Sequence, residues 1–209
     1  MTTIINDQVL EERLIAQRRE AGLDKYDEVW DGVYVMAPMA NNEHQRLVTD
    51  FTTILNLAVG WPGLGRVFPG VNVSDQNDDW TTNYRCPDVA VYLKDTHAKD
   101  CGAYWYGGPD FAVEIVSPQD RVMEKLPFYA QVGTRELLVI DRDPWELTLF
   151  RLRNDTLQLI AKSRTDNATP ITSDVVPLRF TLLVDKTRPV IEVAHHDGSQ
   201  RWVIDPTAS

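Results

Sequence analysis

Asp110-Phe111-Ala112-Val113-Glu114-Ile115-Val116 sets one acid in the middle of an apolar run. Side chains alternate across a strand, so Phe111, Val113 and Ile115 share one face, and Ala112, Glu114 and Val116 the other. An ionised carboxylate at Glu114 is costly unless it is paired or bound to a metal. Pro87-Asp88-Val89-Ala90-Val91 poses the same problem at Asp88. Two acids on neighbouring strands can form an oxygen-ligand site for Mg²⁺ or Mn²⁺, which take carboxylates, carbonyls, water and phosphate as ligands. On these residues alone, carboxylates bonded to an arginine or to backbone N–H groups explain the pattern equally well.

The flanking sequence supplies the rest of the fold. Asn6 or Asp7 can cap a first helix running to about Glu20. Residues 26–36 read as two strands around Asp31-Gly32, a pair suited to a tight turn. Leu47, Phe51, Ile54, Leu55 and Ala58 recur at helical spacing and predict a helix from Asn42 to Val59. Strands are expected at 65–73, 85–93 and 110–116, then a helix ending near Gly133. Further strands are expected at 135–141, 145–152 and 157–162, the last two joined at Asn154-Asp155. The tail, Pro189 to Asp205, reads as a hairpin around Asp197-Gly198. This order gives an α+β fold, a mixed sheet core flanked by helices, with additional β-hairpins.

Composition narrows the class. The 209 residues suit one domain with a substantial core. No apolar run reaches the roughly 20 residues that cross a bilayer, and the first residues lack the basic and apolar regions of a secretory signal. A cytoplasmic protein with no membrane partner is the expectation. Cys86 and Cys101 match neither a disulfide framework nor a zinc motif. The net charge is −10, and neither half of the chain is basic. Such a balance repels nucleic acid at long range unless cations gather locally.

An ordered set of motifs adds a family resemblance. It comprises Tyr26 and Glu28 with Asp31-Gly32, Met36-Ala37-Pro38, His44-Gln45-Arg46, and Arg66-Val67-Phe68-Pro69. Then come Pro87-Asp88-Val89-Ala90-Val91, Pro109 through Pro118, Glu124-Lys125-Leu126 with Tyr129 and Gly133, and Glu136 to Asp141. Together these resemble the Uma-two family of bacterial restriction-endonuclease-like proteins, a branch of the PD-(D/E)XK nuclease superfamily. The resemblance implies a restriction-endonuclease-like fold, dependence on Mg²⁺ or Mn²⁺, and phosphodiester hydrolysis in nucleic acid, with DNA the expected substrate. It assigns Asp88 and Glu114 as metal ligands, with the Ile115 carbonyl as a further one. A lysine normally stands two positions after the glutamate, where it orients water or stabilises charge on the phosphate. Here that position is Val116, and Lys125 on the following helix matches the family's alternative. Pro127 puts Lys125 at the helix entrance, because proline is tolerated only in the first turn. Glu28 and His44 are further catalytic candidates, able to ligate a second metal or orient the nucleophile; ordinary hydrogen-bonded roles fit both equally.

Other features carry less chemistry. His195-His196-Asp197 falls in a predicted turn, and Tyr104-Trp105-Tyr106 reads as packing or subunit contact. Ser117 lies outside any nucleophile elbow. The domain reading is one nuclease-like domain over 1–185 and a C-terminal hairpin appendage over 186–209 packed on it. A homodimer is compatible with this reading, since two symmetric sites address two strands. The rival reading is an inactive nuclease-fold module for protein contacts or regulation, favoured by the acidic charge and by Val116. A metal-dependent hydrolase of another substrate is the third.

Overall fold

The computed structural model describes residues 8–117, 120–184 and 188–205. The caps expected at Asn6 and Asp7 lie outside these residues. The helices are α1 (Gln8–Glu20), α2 (Asn42–Leu55) and α3 (Leu126–Gln131). Strands in the first half of the chain are β1 (Glu28–Trp30), β2 (Val33–Val35), β3 (Gly65–Pro69), β4 (Val73–Ser74), β5 (Tyr84–Arg85), β6 (Val89–Leu93), β7 (Lys99–Asp100) and β8 (Trp105–Tyr106). Those in the second half are β9 (Phe111–Ile115), β10 (Glu136–Arg142), β11 (Trp145–Arg153), β12 (Thr156–Arg164), β13 (Ile171–Thr172), β14 (Leu178–Val184), β15 (Pro189–His195) and β16 (Arg201–Ile204).

The central sheet has the order β12-β11-β10-β9-β6-β3, with β9 and β10 parallel and the other pairs antiparallel. Every residue of β9 is buried. The expected alternation holds. Phe111, Val113 and Ile115 join the core that contains Leu47, Phe51 and Ile54 of α2, while Ala112 joins Phe128 and Tyr129 of α3 on the opposite side. Glu114 therefore points toward the α3 side of the sheet. The α2 face is closed by a four-stranded sheet of order β13-β14-β15-β16, whose Phe180 ring lies 5.9 Å from Phe111 and 6.2 Å from Phe51.

Three sequence expectations are corrected. The segment expected as one strand over 65–73 divides at Pro69-Gly70, where Gly70 takes φ +58°. The segment over 85–93 divides likewise between Arg85 and Val89. Pro87 has no N–H for a ladder, which favours a break there. At each break the chain leaves one sheet for another: β3 and β6 belong to the central sheet, and β4 and β5 to a smaller one of order β2-β1-β5-β4-β8-β7. The second helix ends at Leu55 and widens into a π-turn over Asn56–Gly60, with Trp61 N–H bonded to the Asn56 carbonyl. The strands β13 and β14 were not expected at all, although β14 pairs along its whole length with β15 of the expected tail hairpin.

Two tight turns are where the residues place them. Asp31 and Gly32 both have positive φ between β1 and β2, as do Asn154 and Asp155 between β11 and β12. Gly133, at φ +82°, follows the end of α3. Deep in the second half, Glu136 is fully buried, yet it accepts from Arg151 at 2.7 Å, from the Asp174 N–H at 3.0 Å and from the Ser173 hydroxyl. This carboxylate is satisfied by protein alone.

Candidate active site

The chain crosses between the two large sheets at Gly70 and again at Asp88, and a cleft of about 440 Å³ opens there, lined among others by Pro69, Gly70, Cys86, Asp88, Glu114 and Lys125. Asp88 stands one residue before β6. The antiparallel register pairs Val89 with Val113, which carries Asp88 to the position opposite Glu114. One Asp88 oxygen accepts the Ile115 N–H at 2.7 Å, and the other lies 3.2 Å from His44 Nε2. His44 is held in the first turn of α2, whose N-cap Asn41 side chain accepts the His44 N–H. The His44 Nδ1 is buried without a hydrogen-bond partner among the described residues.

Lys125 is the hub of the site. Its Nζ is 3.0 Å from Glu28 Oε1 and 3.1 and 3.2 Å from the two Glu114 oxygens. The residue is only 7% exposed. A short 3₁₀ turn over Val122–Lys125 delivers it to the start of α3, and Pro127 falls in the first turn of that helix. The proline therefore sets the entrance geometry rather than breaking the helix. Position 116 follows the same alternation as Glu114, and Val116 packs in the apolar group on the α3 side. Its carbonyl accepts two bonds from Arg142. The ammonium thus reaches the acids from the helix, not from the strand.

Glu28 is positioned from three directions. Oε1 accepts the Cys86 N–H at 2.8 Å in addition to Lys125, and Oε2 accepts Trp30 Nε1 at 2.6 Å. The Trp30 ring is flanked by two guanidinium groups, Arg85 at 4.7 Å and Arg121 at 4.8 Å. Tyr129 donates its hydroxyl to Glu114 Oε1. The structure therefore brings together all five predicted side chains, Asp88, Glu114, Lys125, Glu28 and His44, with Ile115 beside them. Sequence reading gave no role to Tyr129, Trp30 or Arg121. For Tyr129 a signal existed: it lies four residues beyond Lys125, on the same helical side. For Arg121 the sequence offers none, since a lone arginine beside a glutamate is an ordinary surface pair.

Glu28 and Glu114 share one ammonium, and Asp88 lies opposite Glu114 against His44. Burial pushes the Glu114 carboxyl up to about 8, with Lys125 opposing the shift and Asp88 and Glu28 adding to it. Burial alone would lower Lys125, but Glu114 and Glu28 hold it well above the usual lysine range. Burial also keeps the Cys86 thiol protonated far beyond neutral pH. A consequence follows for stability. Between the ordinary carboxylate value of 4.5 and about 8, the folded chain holds a proton at Glu114 that the unfolded chain releases. The contribution of this group is full below that window and is lost as pH rises through it. Urea titrations of wild type and Glu114→Gln should show the wild type losing stability relative to the variant as pH climbs; parallel curves would remove the shift.

Among the described residues, no three His, Cys, Asp or Glu side chains form a ready-made metal cage. A protein-only cage of the calcium kind is thereby unsupported. Mg²⁺ is commonly held by one or two carboxylates, with water and substrate phosphate completing the shell. Asp88 and Glu114 fit that pattern in kind. Each carboxylate has about four acceptor positions. Glu114 uses three on Lys125 and Tyr129, and Asp88 uses one on Ile115 with a second facing His44.

Comparison with known proteins gives two results. The family model Uma2, described as "Putative restriction endonuclease", matches residues 12–185. A crystal structure from Anabaena variabilis ATCC 29413, described as "a putative nuclease belonging to DUF820", superposes with a TM-score of 0.55 at 19% identity, covering 71% of this chain and 83% of that one. At that identity the likeness establishes the fold, which is restriction-endonuclease-like. No curated protein matches. No helix of the described residues is long and apolar enough to cross a membrane.

Proposed function

This chain belongs to the Uma2 family of restriction-endonuclease-like proteins, and from that premise we propose that it is a nuclease that hydrolyses phosphodiester bonds, acting on DNA with Mg²⁺ or Mn²⁺. One observation carries the reading: Asp88 stands opposite Glu114 at the base of an open cleft, beside a lysine that Glu114 and Glu28 hold in place. Asp88, its side chain 20% exposed, faces the cleft with only His44 as a charge partner among the described residues, where a cation can neutralise it.

Asp88 and Glu114 would hold the ion, with the Ile115 carbonyl as a further donor. When bound, the ion would acidify a water molecule and draw charge from a phosphoryl oxygen. Lys125 would donate to charge that develops on the phosphate, from a position fixed in advance by Glu28 and Glu114. Glu28 would keep that ammonium in place, and its own orientation is set by the Cys86 N–H and Trp30. His44 would steer Asp88 through its Nε2, 3.2 Å from the carboxylate.

The test is cleavage of duplex DNA, single-stranded DNA and RNA with Mg²⁺ and with Mn²⁺, for wild type and Glu114→Gln. Divalent-dependent cutting that falls by at least about 100-fold in the variant is expected, the scale of removing one preorganised electrostatic group. Cutting that survives in Glu114→Gln would overturn the mechanism. The net charge of −10 favours a second reading, a nuclease fold kept for protein contacts. Absence of cutting on all three substrates would favour it.

A further inference from the structure

The residues around the carboxylates also indicate what enters the cleft. Residues 33–38 and 40 line it as a nearly continuous wall: Val33, Tyr34, Val35, Met36, Ala37, Pro38 and Ala40. The wall is anchored by a single buried acid. Asp27, 2% exposed, accepts Arg18 twice at 2.6 Å, the Tyr34 hydroxyl at 2.7 Å and the Ala37 N–H at 2.7 Å. Opposite charge is scarce. Among the described lining residues the acids are Glu11, Glu28, Asp88, Glu114 and Asp120, and the cations are Lys125 and Arg121 alone. Lys125 is committed to Glu28 and Glu114. Arg121 is one-third exposed at its side chain, lies over the Trp30 ring, and is paired with the exposed Glu124.

A B-form duplex presents a phosphate on each strand along a continuous charged surface, and its recognition relies on several cations. This cleft offers one accessible cation and an apolar wall. Those features suit an unpaired nucleotide, whose base seeks aromatic and aliphatic contact while its phosphate needs a few charges. We propose that the cleft takes a single unpaired nucleotide, its base against the 33–40 wall and its phosphate between the Asp88–Glu114 pole and Arg121, so that single-stranded or locally opened DNA is the substrate class. The proposal rests on the nuclease reading above. Arg121 would leave Glu124 for the phosphate, an exchange of one exposed charge partner for another. The Trp30 face would keep the guanidinium at the rim meanwhile.

Binding can be read without turnover. Fluorescence anisotropy with a short labelled oligothymidylate and with a labelled blunt duplex of equal length, in Ca²⁺, compares the two occupants directly. The single strand is expected to bind at least about 10-fold more tightly, the scale of one stacked base. Arg121→Ala and Val33→Asp should each weaken single-strand binding by about 10-fold, and Arg121→Lys should recover part of the loss. Val33 is 58% exposed, so its substitution leaves the core untouched. Equal binding of the two oligonucleotides, or wild-type affinity in both variants, would overturn the proposal. Single-strand binding without cleavage of any substrate would support this inference and sink the nuclease reading. Cleavage of intact duplex at the single-strand rate would do the reverse.

Discussion

Asp88→Ala should abolish the heat of Mn²⁺ binding and lower divalent-dependent DNA cleavage by about 10³-fold or more, the loss expected when a charge-stabilising element is removed rather than weakened. The carboxylate has two tasks, and they can be separated. One oxygen accepts the Ile115 N–H and so helps hold the end of β9 against the start of β6. The other faces the cleft beside His44. Asp88→Asn preserves an acceptor for Ile115 but removes the charge. If calorimetry finds Mn²⁺ binding lost in both variants while the Asn protein unfolds in urea near the wild-type midpoint, the charge is what binds the ion. Wild-type Mn²⁺ affinity in Asp88→Asn would mean that the carboxylate is no ligand.

Lys125→Met should cost about 3–5 kcal/mol of stability, since removing one partner of a buried ion pair leaves charge uncompensated. The cost arises first at Glu28, 5% exposed, and grows as Glu114, 3% exposed, ionises at higher pH, since both share this ammonium. Methionine fills a similar volume, so packing contributes little to the difference. Two measurements separate a catalytic lysine from a merely structural one. Saturating Mn²⁺ should restore part of the lost stability, because a bound ion stabilises the folded state by linkage. Cleavage should nonetheless remain about 100-fold below wild type under those conditions. Full turnover once the fold is restored would make Lys125 a scaffold residue alone.

The parts of this fold that alternate cleanly were legible in the sequence. β9 announced both its faces, and the two positive-φ turns were marked by Asp31-Gly32 and Asn154-Asp155. Leu178, Phe180 and Leu182 carry the same period-two signal, and all three are fully buried. That strand went unread because Asp174 to Pro177 reads as loop, and the tail hairpin that includes β15 reads as complete without a further strand. The two-residue strands β7 and β8 are too short for any period to register. In the site, single residues inside apolar runs were visible because burying charge is costly. Asp27, Trp30 and Arg121 were not, since their roles depend on groups far along the chain. Asp27 is nine residues from Arg18 and ten from Ala37; Trp30 is flanked by guanidinium groups 55 and 91 positions away.

The delivery of Lys125 from a helix has a consequence for how such sites are found. What the chemistry demands is a positive group at one point in space, and that address can be reached along more than one covalent route. With the strand relieved of the duty, Val116 is free to serve as filling for the layer behind it. A search keyed to residue spacing along the strand would pass this chain over, whereas a search keyed to three points in space would stop at it.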